Sequence, residues 1–305
     1  MKKKAISALL LLLASKPLVA NIDVYTDALY WMTTEIIDPS MSLDPRGNFE
    51  TVTFQKLNFG WNPGFRIGVG YSSCCDCWET NFTYTRFEAK GSNRAADDMI
   101  KSEYFGSIFS GLGFYQKAKI EGKISYNMFD WDLGYPLCPS DCLFFRPSIG
   151  IKGGWIHQTF KNTFRKTFDI LDIFFIPVKA VENLQNDFWG VGPKGGVNSK
   201  WILSNCFSLV GDFYAAFMWG HWSFFDQFLS TSDSNIMTKI SDRNFGAFML
   251  QGFFGFGLDL CDFSFKLGYE IQDWFNQYQI FDNGTGGQSG NLIFQGLTLQ
   301  ARYGF

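Results

Sequence analysis

Apolar and polar residues alternate with a period of two along much of this chain, and this feature most constrains its fold. The odd positions from 57 to 71 are all apolar, whereas the even positions from 58 to 72 are Asn, Gly, Arg or Ser. The same alternation recurs over residues 145–155, 263–272 and 297–305. Successive side chains of a β-strand point to opposite faces, and a helix would place Arg66, Lys266 and Arg302 among aromatic residues. The pattern therefore predicts strands with one apolar face and one polar face, as in a membrane β-barrel.

Applied to the whole chain, the alternation predicts an all-β fold, an antiparallel transmembrane β-barrel of the bacterial outer membrane with ten strands. Long and short connections alternate, as they do in such barrels, with the short turns and both termini in the periplasm. The predicted strands lie near residues 22–33, 52–72, 77–88, 117–136, 143–158, 187–200, 206–221, 245–260, 262–276 and 291–305.

Two alternatives to this architecture remain open at the sequence level. Segments 89–116 and 159–186 are long enough to hold further hairpins, which would give twelve to fourteen strands. A soluble β-sandwich would also contain alternating strands, but it predicts neither the alternation of connections nor so aromatic an outer face. Within the fourth strand, the parity of the apolar positions changes between Met128 and Phe129, which predicts a β-bulge there.

The first twenty residues predict a secretory signal peptide. Three lysines at positions 2–4 precede an apolar stretch over residues 5–14, which is too short to span a bilayer. The segment after this stretch reaches Ala20, a small residue suited to signal peptidase, so cleavage is predicted after Ala20. The predicted organisation is a signal peptide over residues 1–20 and a β-barrel over residues 21–305, exported to the outer membrane.

The charge balance and hydropathy exclude two other classes of protein. Four of the 26 basic residues lie in the first sixteen positions, which leaves 22 basic against 29 acidic residues in the rest of the chain. Nucleic-acid binding depends on Lys and Arg that neutralise phosphates, so no nucleic-acid partner is predicted. No run of 18 uncharged apolar residues follows the N-terminus, which excludes helical membrane spans.

The cysteines share one location, in or beside the predicted short turns, where they would face the oxidising periplasm. Disulfides are chemically allowed there, and the odd number of cysteines leaves at least one thiol for another chain. The CxxC spacing within the first turn also suits zinc, but no second such pair or nearby His completes a site, so neither a metal nor another cofactor is predicted. The candidate disulfide residues are Cys74, Cys75, Cys77, Cys138, Cys142, Cys206 and Cys261.

Several stretches resemble the major outer-membrane protein porins of chlamydia-like and legionella-like bacteria. They include Gly-Phe-Arg-Ile-Gly-Val-Gly-Tyr at 64–71, followed by the cysteine cluster and Trp78, and the Gly- and Trp-containing segments 146–158 and 189–197. The resemblance implies an abundant pore-forming barrel, which the chlamydial branch bonds by disulfides into a supporting network. A mature chain of 285 residues is nevertheless short for a sixteen-stranded porin, and ten strands would leave little open lumen.

The final strand resembles the assembly signal of bacterial outer-membrane barrels, because it ends in an aromatic residue and has one apolar face. The resemblance implies recognition by the outer-membrane assembly machinery. The residues of this predicted signal are Leu297, Leu299, Tyr303 and Phe305.

Charged residues on the predicted inward face are the candidates for lumen lining and selectivity. Facing basic and acidic ladders would create a transverse field that orients small hydrophilic solutes. Inward glycines such as Gly68 and Gly196 would leave lumen volume free. Alternatively, the same charges form salt bridges that plug the lumen. The predicted lumen residues are Arg66, Arg146, Lys152, Lys194, Asp212, Lys266, Glu270 and Arg302.

The sequence thus predicts an outer-membrane porin for passive diffusion of small hydrophilic solutes. The alternative is a structural envelope protein or surface adhesin, a plugged barrel crosslinked through periplasmic disulfides, with segments 89–116 and 222–244 as exposed loops. His157 and His221 lie in no recognisable catalytic constellation, so no enzymatic activity is predicted. The predicted partners are membrane lipid, the assembly machinery and small solutes, with a homo-oligomer and disulfide-linked envelope proteins as further candidates.

Overall fold

A computed structural model describes residues 20–35, 40–44, 51–73, 78–102, 115–170, 174–231, 236–282 and 286–305. Among these residues, no helix is long and apolar enough to cross a bilayer. Residues 1–19 of the predicted signal peptide lie outside the described residues. The strands are β1 (Ala20–Glu35), β2 (Ser40–Asp44), β3 (Thr51–Gln55), β4 (Trp61–Ser73), β5 (Glu79–Ser102), β6 (Tyr115–Gly134), β7 (Leu137–Ser140), β8 (Leu143–Ile170), β9 (Phe174–Ile202), β10 (Phe207–Ser230), β11 (Ile236–Leu260), β12 (Phe263–Asp282) and β13 (Gly286–Gly304).

Ten of these strands form a closed antiparallel barrel. The order is β1, β4, β5, β6, β8, β9, β10, β11, β12 and β13, and β13 pairs back with β1 from Asp23 opposite Gly304 to Glu35 opposite Leu292. The short strands β2 and β3 form a hairpin that pairs with the far end of β5, and β7 pairs with the start of β8. The predicted all-β barrel of ten strands is therefore confirmed, against both the larger strand counts and the sandwich.

The long connections are largely extensions of the barrel strands. Strands β8 and β9 pair continuously up to Ile170 opposite Phe174, so the predicted loop 159–186 belongs almost entirely to these two strands. Strand β5 likewise continues to Ser102, and β10 to Ser230. The barrel is therefore much taller on the loop side than the ten-residue crossings of a minimal membrane barrel. The segments predicted as exposed loops are, where described, mainly strand.

The outside of the barrel has an apolar band bounded by two rings of aromatic side chains. The turn-side ring includes Phe207 and Phe263, and β10 runs from Phe207 to Trp219 across the band. Twelve residues at ~3.3 Å each, on a strand tilted by ~40°, span about 30 Å, which matches a bilayer core. The loop-side ring consists of Tyr30, Trp61, Trp155, Trp189 and Trp219, with 45–62% of each residue exposed.

The polarity of the two faces inverts where the strands leave this band. Within the band, apolar side chains point outward and charged ones inward; beyond the loop-side ring, apolar side chains point inward. On β10, outward Phe213, Phe217 and Trp219 give way to the inward, buried Trp222 and Phe224. The reason is the change of solvent: lipid surrounds the lower part of the wall, and water surrounds the upper part.

The inversion accounts for the change of parity in β6. Its pairing with β5 and β8 continues without a register shift through Met128 and Phe129, so the predicted bulge is absent. On the loop side of this point, the even positions remain buried, and Lys119, Glu121 and Lys123 face outward. If lipid surrounded the whole strand, these three charged side chains would have to point inward; they point outward because water surrounds this part of the wall.

The hydrophobic core lies inside the barrel on the loop side. It consists of inward side chains from every barrel strand except β4, together with two residues of the segment before β4, Leu57 and Phe59. The largest of its fully buried side chains include Trp31, Tyr126 and Trp274. A wide lumen could not bring these rings together, so the small strand number is what permits a packed interior.

Candidate functional site in the barrel lumen

The lumen at the level of the apolar band contains a charged cavity of about 180 Å³. Inward positions of all ten barrel strands bring its lining together, because period-two alternation turns every second residue toward the barrel axis. A volume of this size holds about six water molecules. The structure places all eight predicted lumen residues on its wall: Arg66, Arg146, Lys152, Lys194, Asp212, Lys266, Glu270 and Arg302.

Arg66 is the centre of the first group of paired charges. Its guanidinium donates to Asp27 Oδ2 on β1 at 2.9 Å and to Glu270 Oε1 on β12 at 2.7 Å. Glu270 also accepts hydrogen bonds from Gln251, at 2.8 Å, and from Thr298, at 2.9 Å. Because β4 and β12 are separated by two strands of the wall, the Arg66–Glu270 pair cuts across the lumen instead of following its surface.

Asp130 is the centre of the second group. Lys152 Nζ lies 3.0 Å from both of its carboxylate oxygens, and Lys194 Nζ lies 3.0 Å from Oδ1. Only 2% of the Lys152 side chain is exposed. Buried charges are costly unless they are paired and hydrogen-bonded, so the stability of this three-residue group depends on these short contacts between its own side chains.

Arg146 is the centre of the third group. It contacts Glu79 Oε2 at 2.7 Å and Asp132 Oδ1 at 2.8 Å, and it donates to Asn198 Oδ1 at 3.1 Å. Asn198 in turn donates to Asp212 Oδ1 at 2.7 Å. Most of the predicted lumen charges therefore belong to paired groups, which is the arrangement of the plugged alternative and not of two open ladders.

The inward glycines do not leave the lumen open, contrary to the expectation from sequence. A Cβ at Gly68 would lie 2.2 Å from the ring of Tyr25, and a Cβ at Gly196 would lie 2.2 Å from the ring of Tyr214. The glycines thus make room for tyrosines that lean across the wall. Tyr25 is held there by a hydrogen bond of 2.5 Å between its hydroxyl and that of Thr83.

Aromatic side chains close the lumen above the charged cavity. Tyr126 on β6 donates from its hydroxyl to Gln272 Oε1 on β12 at 3.0 Å, so opposite walls meet. The ring of Trp274 packs edge-on against Tyr126 at a centroid distance of 5.8 Å, and that of Phe294 lies 4.9 Å from Tyr126. Lys152 Nζ lies 6.0 Å from the Trp274 ring, so the charged and aromatic layers are in contact.

A further polar cluster, which the sequence did not indicate, is buried among the apolar side chains above the membrane band. Gln158 on β8 donates to Glu35 Oε1 on β1 at 2.9 Å, and Asn162 donates to Glu182 Oε2 at 2.7 Å. Asp226 lies seven residues beyond Trp219, outside the membrane-spanning part of β10. Burial raises the pKa of Asp226 to about 7, against an ordinary value of 3.8.

Neither histidine lines the charged cavity of the lumen. His157 Nδ1 contacts Asp187 Oδ1 on the outer wall beside Trp155 and Trp189, a pairing that only the strand register reveals. The residues that the structure describes hold no cluster of three His, Cys, Asp or Glu side chains that could bind a metal ion.

The described cysteines lie together at the turn end of the barrel. Cys138, Cys142, Cys206 and Cys261 are exposed and carry free thiols. Neighbouring turns are linked by hydrogen bonds from Ile202 N to Cys142 O at 2.8 Å and from Asp259 N to Cys206 O at 2.9 Å. Cys74, Cys75 and Cys77 lie outside the described residues. No disulfide is present among the described cysteines, and the predicted pairing stays untested.

The predicted assembly signal lies on the outward face of β13. Leu297 and Leu299 are 48% and 47% exposed in the apolar band, and the ring of Tyr303 packs against the ring of Phe305 at a centroid distance of 4.8 Å. These positions are accessible to a partner, and recognition by the assembly machinery stays a prediction.

The closed barrel, its apolar band and its aromatic rings define an outer-membrane β-barrel protein. The sequence matches the profile of the family described as Legionella pneumophila major outer membrane protein precursor over residues 17–305, and the chain belongs to this family.

Solved structures with a similar fold are also outer-membrane proteins. The outer membrane protease OmpT from Escherichia coli is 12% identical, with 94% of this chain and 96% of that chain covered and a TM-score of 0.47. A major outer membrane protein from Thermus thermophilus is 12% identical, with 94% and 100% covered and a TM-score of 0.35. A Pseudomonas aeruginosa FadL homologue is 10% identical, with 93% and 90% covered and a TM-score of 0.26. A search of curated proteins gives no match.

Proposed function

We propose that this protein is a structural and surface-exposed component of the outer membrane, a barrel whose lumen is closed by its own side chains. The observation that carries the proposal is contact across the lumen. Tyr126 and Gln272 join the opposite strands β6 and β12 in the aromatic layer, and Arg66 and Glu270 join β4 and β12 in the charged layer. A solute crossing the barrel would have to break both layers. The functional surfaces of the protein are therefore its two ends and its outer wall.

The turn-side cysteines support attachment to other envelope components. Exposed thiols at the periplasmic rim are in an oxidising compartment, where intermolecular disulfides are chemically allowed. Non-reducing electrophoresis of isolated envelopes tests this: a ladder that collapses with reductant is expected. Replacement of Cys74, Cys75 and Cys77 by Ser, compared with replacement of Cys138 and Cys142, would localise the crosslink. A single unchanged band would remove this part of the proposal.

A non-catalytic role also agrees with the site. The His157–Asp187 pair is on the outward face of the wall, 42% and 36% exposed, and it is separated by the wall from the charged cavity. An acid–base pair needs a substrate pocket in which the reacting atoms are held, and neither side chain lines the charged cavity.

The second candidate function is a diffusion channel for small hydrophilic solutes. The charged cavity favours it, because both signs of charge line a space of about 180 Å³ at the level of the membrane. For conduction, the aromatic layer around Trp274 would have to move. Ion selectivity would then be set by Arg66, Lys152 and Lys194.

Single-channel recording in planar bilayers distinguishes the two functions. The chain from residue 21 onward would be refolded, checked for heat-modifiable migration and inserted. The closed barrel predicts a silent membrane for the wild type, and current steps once both layers are opened by replacing Tyr126, Trp274, Arg66 and Glu270 with Ala. Regular steps from the wild type would refute the closed barrel and establish the channel.

A further inference from the structure

One part of the outer wall is strongly basic although the chain as a whole is acidic. It is formed by β5, β6, β8 and β9 on the loop side of the aromatic ring, where outward side chains are in water. Among the outward side chains that the structure describes there, nine belong to Lys or Arg, against those of Glu88, Glu121 and Asp187. The basic wall consists of Arg86, Lys90, Arg94, Lys117, Lys119, Lys123, Lys161, Arg165 and Lys179.

The strand register places these cations directly opposite one another. Lys117 on β6 is paired with Arg165 on β8, and Arg165 is paired with Lys179 on β9. Lys119 is paired with Arg94 on β5 in the same way. Like charges opposite each other on adjacent strands destabilise a sheet. A row of three cations across three strands is therefore a cost that a bound anion would offset.

The nearby carboxylates neutralise only part of the wall. Glu88 contacts Lys90 at 2.9 Å and Lys123 at 3.1 Å, and Glu121 contacts Lys119 at 2.7 Å. Hydrogen bonds from these lysines lower the pKa of both carboxyl groups, so both carboxyl groups are ionised and already paired with a lysine. Among the described residues, no carboxylate forms an ion pair with any member of the row across β6, β8 and β9.

The wall is concave beside this row of cations. A recess of about 570 Å³ is lined by Arg94, Lys117, Lys119, Arg165 and Lys179, together with Glu121, which is paired with Lys119. A second recess of about 840 Å³ adjoins it and contains Lys90, Lys123 and the ring of Phe225. Recesses that share Lys161 and combine several cations with an apolar ring are suited to a phosphorylated, partly apolar ligand.

The height of the wall above the membrane identifies such a ligand. Lys161 lies six residues beyond Trp155 on β8, which at ~3.3 Å per residue and a tilt of ~40° places it about 15 Å above the aromatic ring. Lys123, opposite Thr159, is about 10 Å above it. The row lies higher, because Arg165 is ten residues beyond Trp155, which places it about 25 Å above the ring. Heights of about 10 to 25 Å correspond to the sugars attached to the lipid headgroups of the outer leaflet.

We propose that the basic wall binds phosphate groups on the core sugars of a phosphorylated glycolipid of the outer leaflet, with the row Lys117, Arg165 and Lys179 as its principal anion site. The lipid chains would lie along the apolar band below, and the phosphates would occupy the recesses. This function goes beyond the closed lumen and does not depend on whether the lumen conducts.

Binding of a defined glycolipid to the refolded full-length mature barrel tests the proposal. The probe is a lipopolysaccharide with a phosphorylated core saccharide, and the same lipid after enzymatic dephosphorylation of the core serves as the reference. We expect the phosphorylated lipid to bind at least about tenfold more tightly, and the difference to shrink as salt rises. Equal binding of the two lipids would overturn the proposal.

Matched variants locate the site. The triple replacement of Lys117, Arg165 and Lys179 by Gln is expected to weaken binding by about tenfold or more. Replacement of Lys200, Lys239 and Arg243 by Gln removes the same charge elsewhere on the surface and is expected to leave binding unchanged. Equal affinities of the wall triple and the wild type would overturn the proposal.

Two further measurements keep the test decisive. Should the triple variant lose heat-modifiable migration, replacement of Arg94 and Lys119 by Gln addresses the adjacent pair in the same recess.

Heparin, a sulfated polysaccharide without a lipid part, serves as the competing polyanion. Tighter binding of heparin than of the glycolipid to the wall would assign the surface to a soluble polysaccharide and refute the lipid proposal.

Discussion

Removal of Asp130 tests whether the charged layer of the lumen is a dry, packed structure. The Asp130→Ala substitution leaves two ammonium groups, of Lys152 and Lys194, without the carboxylate that lies 3.0 Å from each. Their side chains are only 2% and 7% exposed, so water can replace the lost partner poorly. Breaking a buried ion pair by removing one partner costs about 3–5 kcal/mol, and here two partners are orphaned. We expect a loss at the upper end of that range.

The assay is reversible urea unfolding of the refolded barrel in lipid vesicles, followed by the fluorescence of its ten tryptophans. The control is Asp259→Ala, because Asp259 pairs with Lys200 at 2.7 Å on the exposed turn side and its loss should cost less than about 1 kcal/mol. Removing all three charges with Asp130→Leu, Lys152→Met and Lys194→Met together should recover much of the stability. A loss below about 1 kcal/mol for Asp130→Ala would refute the reasoning and indicate a hydrated, channel-like lumen.

Three further predictions follow from the packing of the interior. Trp274→Ala should lower the free energy of unfolding in vesicles by about 3–5 kcal/mol, since it removes a fully buried ring; a loss below 1 kcal/mol would contradict the packed core. Gly68→Ala should cost about 1–3 kcal/mol, because its Cβ displaces Tyr25, whereas Gly252→Ala, with its nearest neighbour at 3.7 Å, should be nearly neutral; equal effects would contradict the tight site. Wild-type stability should fall by about 3 kcal/mol from pH 5 to pH 8, because Asp226 has a pKa of about 7 when folded and near 3.8 when unfolded, so the folded state binds more protons between these values. Asp226→Asn should remove this loss, and an unchanged pH profile would contradict it.

Much of the architecture could be predicted from the alternation of residues alone. Residues 57–72 and 297–305 show one apolar face because each β-strand turns successive side chains to opposite sides, whatever its neighbours are. Strand number and antiparallel order followed from the spacing of these segments and their short turns. The residues lining the lumen, such as Arg66 and Lys152, were also accessible to this reasoning, because a charge inside the band is costly in lipid.

Whether the lumen is open or closed could not be predicted from the sequence in the same way. Whether Arg66 meets Glu270 depends on the curvature of the wall and on the distance across the barrel, neither of which is encoded locally. Gly68 shows the same limit, since an absent side chain leaves space that only the tertiary structure fills, here with Tyr25. Contacts between residues that are distant in sequence, such as Arg66 and Glu270, therefore decide whether the lumen is open.

The sequence by itself determined that the chain forms membrane-crossing strands, where they turn, and which parity faces lipid. Only the tertiary structure decided where the membrane ends along each strand. Lys119, Glu121 and Lys123 have the parity of the lipid-facing Phe129, yet they lie above the band and face water. The physical reason is that alternation reports which residues share a face, whereas the solvent outside that face changes along the strand, from lipid to water, and the preferred polarity changes with it.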